Sequence, residues 1–342
     1  MRALFVKSAG IAQAMRALSR SALVALLLKL KPKTRFYCFS LSLFLFLSAR
    51  EPETPPLTVV GPPSTLSVLR PPPSRELLLL RPPPSFRLRL FSSGSNLLCA
   101  TQDGALREID MDESVFGIEF KSHITIDDLQ EIFDQDQLGV SNMQSYIRLL
   151  YDRVLRGTAL SNRFRFVSSA HCSGMEIVSD PESVRQRLVD RFMSTGNTEC
   201  LHLWAYNTRP VGAHWLLLAI NPIREVVYYL NSVKGEWTNY PAMKEIVDLS
   251  IQVFRSQRDA QVSRTKSNNI TWIEVQCPIQ RNSSDCGYFV LRFMKEIIQA
   301  NQLEIPPTYL DEFRAAGYSK LKLEEIKEEL CQFYIKQFFM QI

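Results

Sequence analysis

The chain carries no Cys-x-x-Cys pair in its 342 residues, only four histidines, and no acidic residue before Glu51. Each shortage excludes something. Cys38, Cys99, Cys172, Cys200, Cys277, Cys286 and Cys331 are odd in number and widely scattered, so neither a disulfide framework nor a zinc ribbon follows. His171 and Cys172 are neighbours, but no second pair stands at metal-ligand spacing, and they read as structural. Reduced thiols in the nucleus or cytoplasm are the natural expectation.

Acid is missing from one part only. Residues 1–100 hold fourteen Lys and Arg against three Glu and no Asp, whereas the other 242 residues hold 26 basic and 32 acidic side chains. The foldable part is therefore mildly acidic, which argues against a nucleic-acid surface there. Arg255, Arg258, Arg264 and Lys266 form a candidate anion patch, for which a solvated loop is the simpler reading.

Residues 1–100 do not read as a domain. They take twelve of the nineteen prolines, and Leu-Arg-Pro-Pro-Pro-Ser occurs twice, from Leu69 and from Leu80. Such triplets cannot continue a helix or a central strand. Phe36 to Ala49 is uncharged and apolar, but fourteen residues are too few to span a bilayer, and no membrane is expected for the folded part. The alternatives for this extension are a transit peptide, a disordered tail or an over-extended gene model. A secretory route is disfavoured by the sequon Asn282-Ser283-Ser284, which would place a glycan beside Cys286.

From residue 101 to 342 the sequence is ordinary globular sequence, with a core of interest at 200–302. Thr125 to Asp128 predicts a helix start with an acidic first turn. Ser141 to Gln144 has the form of a capping box, after which Met143, Ile147, Leu150, Tyr151 and Val154 repeat on one helical face. Asp180-Pro181 opens a third helix with Val184, Leu188 and Phe192 inward. Residues 200–206, 214–220, 225–230 and 271–276 predict strands, with a turn at Asn221-Pro222. Helices follow from Cys286 to about Ala300 and from Leu323 to Phe339. Helices, a cluster of antiparallel or mixed strands, and a helix that begins with a cysteine make an α+β domain.

The segment Gln280 to Gly287 carries the chemistry. Cys286 falls in the first turn of a helix, where unpaired N–H groups and the helix dipole favour thiolate. His214 lies seventy-two residues earlier at a strand start, and Asn231 seventeen residues after it, at the end of the next strand. A hairpin symmetrical about Asn221 to Arg224 would set residue 231 opposite residue 214, so that the carboxamide accepts from the imidazole. Cys286 as nucleophile, His214 as base, Asn231 as orienting group and Gln280 as oxyanion donor together describe a cysteine peptidase. Trp215 could roof a substrate channel or simply pack in the core. Gly287 would leave room for a substrate backbone.

His214-Trp215, the strand-end residue 231, Gln280 and Asp285-Cys286-Gly287 resemble the ubiquitin-like-protein (SUMO/sentrin) protease family, closest to divergent members in plant mobile-element-derived genes. The resemblance implies a papain-like cysteine-protease fold. It implies thiol hydrolysis after the C-terminal glycine of a SUMO-like modifier, with no metal or organic cofactor, by a monomer. It carries over His214, Cys286 and Gln280. The family's third member is usually Asp, where this chain has Asn231, which implies reduced but real activity. Arg209 to Ala213 looks like an insertion that would reshape the channel rim. Two rivals follow: a pseudo-protease that binds such a modifier without cutting it, and a non-catalytic remnant of a mobile element.

Overall fold

Residues 107–259, 269–307 and 317–339 are described by the structure, a computed structural model. The N-terminal extension, with Arg264 and Lys266, lies outside the described residues.

Two short strands unforeseen in the sequence come first, β1 (Arg107–Met111) and β2 (Phe120–Ile124), paired antiparallel across a four-residue helix, α1 (Glu113–Phe116). At the start of α2 (Ile126–Asp134), the Thr125 hydroxyl accepts the Asp128 N–H at 3.2 Å, and the Asp128 carboxylate accepts the Thr125 N–H at 2.8 Å. These reciprocal bonds satisfy two donors that the first turn would otherwise leave open. The third helix, α3 (Val140–Leu150), corrects an expectation: it begins after Gly139, and Ser141 lies within its first turn. Glu131 on α2 accepts the Gly139 N–H at 2.7 Å, so the cap comes from a neighbouring helix rather than from a local box. The predicted inward residues Met143, Ile147, Leu150, Tyr151 and Val154 are all buried.

After β3 (Phe164–Val167) come α4 (Gly174–Ser179) and α5 (Pro181–Met193), the latter with Asp180 as its N-cap and Pro181 in its first turn. Then follow β4 (Leu201–Asn207), β5 (Trp215–Asn221), β6 (Val226–Leu230), α6 (Pro241–Asp259), β7 (Thr271–Glu274), α7 (Cys286–Ala300) and α8 (Lys320–Phe339). The five-stranded sheet has the order β3-β4-β5-β6-β7. Its inner pairings are antiparallel and its two outer ones parallel. Parallel neighbours need a crossover, which α4 with α5 and then α6 provide.

Both faces of the sheet are covered, which explains why β4 and β5 read as unbroken apolar runs. Leu203, Ala205, Leu217, Ala219 and Leu230 face the core shared with α3, α7 and α8. Trp204, Leu216, Leu218, Val227 and Tyr229 face the core shared with α5 and α6. The first core is braced by a buried ionic knot: Lys295 on α7 meets Glu325 and Glu329 on α8, both at 2.8 Å, and Tyr146 on α3 donates to Glu329 at 2.5 Å. Among the described residues no helix is long and apolar enough to cross a membrane.

The hairpin that carries two of the proposed site residues has a register different from the one expected. Asn221 pairs with Val226 and Leu217 with Leu230, so the connection spans four residues and Glu225 takes a left-handed conformation (φ 57°). Extrapolated, residue 231 stands opposite residue 216, two positions from the expected partner. A slip of two keeps every side chain on its own face, whereas a slip of one would have reversed them.

Candidate active site

His214 immediately precedes β5, held by its own backbone: Thr208 N–H donates to the His214 carbonyl at 2.9 Å, and His214 N–H donates to the Thr208 hydroxyl at 3.2 Å. Residues 209–213, read in the sequence as an insertion, form the loop between these two anchors. Asn231 ends β6. Its Oδ1 lies 2.7 Å from Nε2 of His214.

Two further contacts decide which way the carboxamide faces. Val233 N–H donates to the same Oδ1 at 3.0 Å, and Nδ2 of Asn231 donates to the Tyr229 hydroxyl at 3.0 Å. An oxygen already accepting a backbone N–H cannot be exchanged for an NH2 without facing donor against donor. Nε2 of His214 must therefore carry the hydrogen, which leaves Nδ1 as the basic nitrogen of the neutral ring. Tyr229 and Val233 were not singled out in the sequence, where a strand tyrosine and a valine after a strand carry no sign of such a role.

Cys286 is the first residue of α7, and its thiol lies against the backbone N–H groups of Trp215, Gly287 and itself. Trp215 follows His214 directly, so the sulfur lies against the backbone of the residue next to His214. Among the described residues no hydrogen bond joins Sγ to the ring, a looseness usual for catalytic groups without substrate. The thiol is only 1% exposed.

Burial pushes the Cys286 thiol up, with the three N–H groups opposing it, and pushes His214 down, with the Asn231 hydrogen bond opposing it. The expectation of a thiolate favoured at rest is thus corrected. The helix-start N–H groups act as foreseen, but loss of water around the sulfur outweighs them. Burial thus favours the uncharged form of each group.

Gln280 is fixed beside the end of β6: its N–H donates to the Ser232 carbonyl at 2.8 Å, and its Oε1 accepts the Ser232 hydroxyl at 2.6 Å. Nε2 donates to the Asn282 carbonyl at 2.7 Å, which uses one of its two hydrogens. The loop before Cys286 is also tied to the segment between α2 and α3. Gln135 donates to Asp285 at 3.0 Å and Gln137 to the Ser283 carbonyl at 3.0 Å. Asp285 therefore fastens the loop and makes no side-chain cap to α7.

Both candidates for substrate contact lie in the interior, Trp215 in the core that was one of its two alternatives. Trp215 is buried in the core, and its indole N–H donates to the Leu138 carbonyl at 2.7 Å. Gly287 is buried too, and a Cβ there would stand 2.9 Å from Cβ of Leu138. Its lack of a side chain thus serves close packing of α7 on Leu138. Among the described residues no cluster of potential ligands could hold a metal ion.

The model of the family described as "Ulp1 protease family, C-terminal catalytic domain" matches residues 136–331. Similar solved structures include the C-terminal Ulp1 protease domain in complex with Smt3, the yeast ortholog of SUMO, at 15% identity, covering 70% of this chain and 93% of that one, with a TM-score of 0.45. Another is the Xanthomonas campestris effector XopD bound to ubiquitin, at 16% identity, covering 58% of this chain and 91% of that one, with a TM-score of 0.41. A third is a de-sumoylating protease at 12% identity, covering 68% and 95%, with a TM-score of 0.44. No curated protein matches the chain.

Proposed function

The chain belongs to the Ulp1 protease family, cysteine-type peptidases of ubiquitin-like proteins, and from that premise we propose that it hydrolyses the bond after the C-terminal glycine of a SUMO-like modifier, in a precursor or at an isopeptide link to lysine. Cys286, His214 and Asn231 carry the reaction, with Gln280 assisting. The observation that carries this reading is the hydrogen-bond chain from Val233 through Asn231 to His214, which presents Nδ1 as a base.

Nδ1 takes the thiol proton as Sγ attacks the glycine carbonyl carbon, and the tetrahedral oxyanion forms. The Cys286 N–H and the second hydrogen of Gln280 Nε2 are the donors available to it. The imidazolium then returns its proton to the leaving amine, releasing it and leaving a thioester. Water, deprotonated by the same nitrogen, cleaves the thioester and restores the thiol. The expected place of action is the nucleus or cytoplasm, in keeping with the free thiols Cys172, Cys200, Cys277, Cys286 and Cys331.

A catalytically impaired modifier-binding protein is the second reading, favoured by the burial of Cys286 and the prior engagement of Gln280 with Asn282. A panel of modifiers ending in an electrophile separates the two. Covalent capture at Cys286, lost in Cys286→Ser, together with release of a fluorophore from a modifier–glycine substrate, is the result expected of the peptidase. Non-covalent binding without capture or turnover would leave the second reading standing.

A further inference from the structure

Away from His214 and Cys286, a recess of about 590 Å³ opens between α1, the end of β3 and α5. Its size is that of small-molecule sites, which run roughly from 300 to 1,000 Å³. Three guanidinium groups line it, those of Arg165, Arg187 and Arg191. Arg148, Arg156, Arg185, Arg224, Arg255 and Arg292 each meet a carboxylate elsewhere in the molecule. The three arginines of the recess meet none among the described residues.

Arg191 makes the imbalance costly. It is 7% exposed and donates only to main-chain carbonyls, to Phe166 at 2.9 Å and Val115 at 2.6 Å. Its Nη1 stands 3.0 Å from where a Cβ at Gly117 would lie, so the glycine, at φ 81°, also clears room for the guanidinium. A buried cation with no carboxylate in direct contact is penalised, and burial together with the nearby Arg165 draws Arg191 down to about 10, against a weaker opposing pull from Glu113. Arg187 spends one donor, on the His171 carbonyl at 3.1 Å, and Arg165 makes one contact, to the Phe164 carbonyl at 3.5 Å. Most of their five N–H groups each remain available. Glu113 and Asp190 also line the recess, but both are exposed, and Asp190 already accepts Gln186 at 2.8 Å. Ser168 and His171 add polar atoms, joined to each other at 2.9 Å.

We propose that this recess binds a soluble small molecule carrying phosphate groups, with Arg165, Arg187 and Arg191 as its anion clamp. Planar guanidinium forks match phosphate oxygens in pairs, and an incoming dianion supplies the directly paired counter-charge that Arg191 lacks. Three converging forks suit a polyphosphate or a multiply phosphorylated compound better than a single carboxylate.

Calorimetric titration of the full chain with tripolyphosphate at constant ionic strength tests this. One saturable site is expected, weakened about tenfold in Arg165→Gln and in Arg187→Gln. Arg185→Gln, on the same helix but outside the recess and paired with Glu182, should leave affinity unchanged. Melting curves of the variants check that they fold, which their half-buried positions favour. Absence of saturable binding would overturn the proposal. So would affinity equal in parent, Arg165→Gln and Arg187→Gln, since the anion would then sit on other basic segments such as the first hundred residues. Binding confined to vesicles bearing phosphorylated inositol lipids, with none to tripolyphosphate, would overturn it as well.

Discussion

Nε2 of His214 lies 2.7 Å from Oδ1 of Asn231, although the two residues are not opposite one another in the hairpin. They meet diagonally, and the carboxamide is kept in the useful orientation by Val233 and Tyr229. An asparagine here therefore does for the neutral ring what an aspartate does: it accepts from Nε2–H.

Replacing Asn231 tests that equivalence. Asn231→Asp keeps the acceptor and adds a charge, so activity on a modifier–glycine substrate is retained or rises. Asn231→Leu removes the acceptor and frees the wrong tautomer, with an expected loss of about 10²–10⁴ in kcat/KM. The pH profile gives a second reading. His214 is depressed from its ordinary 6.5, so activity should rise through a limb below that value. In Asn231→Asp that limb should move to higher pH, because a carboxylate favours the imidazolium. An unmoved limb would remove His214 from the role of base.

The resting state of the nucleophile can be read by alkylation. A buried thiol raised above its ordinary 9.0 should react slowly with iodoacetamide at pH 6–7 and accelerate only at alkaline pH. A fast rate with a plateau extending into the acid range would mean a thiolate–imidazolium pair already formed.

Gly287→Ala should destabilise the fold by ~1–3 kcal/mol in urea unfolding, the usual cost of overpacking. The new methyl would stand 2.9 Å from Cβ of Leu138. Leu138→Ala alone opens a void, so the double variant should lose less than the two single losses added together. Strict additivity would mean that the two positions do not touch.

Lys295→Met strands Glu329, which is almost wholly buried and keeps only the Tyr146 hydroxyl as partner. A loss of about 3–5 kcal/mol is expected, since an unpaired buried charge is the costly case. Lys295→Met with Glu329→Leu should recover part of it. Chemical denaturation of the single and double variants measures both.

His202 is fully buried and its imidazole is depressed to about 3, first by burial and then by Arg191. Its folded value lies below its unfolded 6.5, so the unfolded chain binds the extra proton first. Its contribution to stability is complete above 6.5 and falls away as pH drops toward 3. Stability curves of the parent and of His202→Gln should therefore run parallel above about pH 6.5, and the parent should lose stability relative to the variant as pH falls from 6.5 toward 3. Curves that stay parallel in acid would place the acid sensitivity elsewhere.

Much of this arrangement was legible in the sequence because it rests on periodicity. Cys286 to Ala300 was readable as a helix and Asn231 as a strand end, and parity put the asparagine on the face needed even though the register was two residues off. Glu225 in a left-handed turn has no local signature, so the register had to be seen. The strands 107–111 and 120–124 bury only two residues each and so show no apolar run, and β3 finds its partner only through a parallel crossover. The cap of α3 comes from Glu131, eight residues before Gly139 in the chain. The effect of burial on the thiol was the largest miss. A residue's place at a helix start is written in sequence, whereas the water it loses to neighbours distant in the chain is not.

Gln135 and Gln137 fasten the loop bearing the sulfur to the helical layer, whereas the base and its carboxamide ride on the sheet. Nucleophile and base are thus mounted on different walls of the molecule. A change that eased those walls apart by an ångström or two would switch the chemistry off with every reacting atom still present, and with no unfolding to betray it.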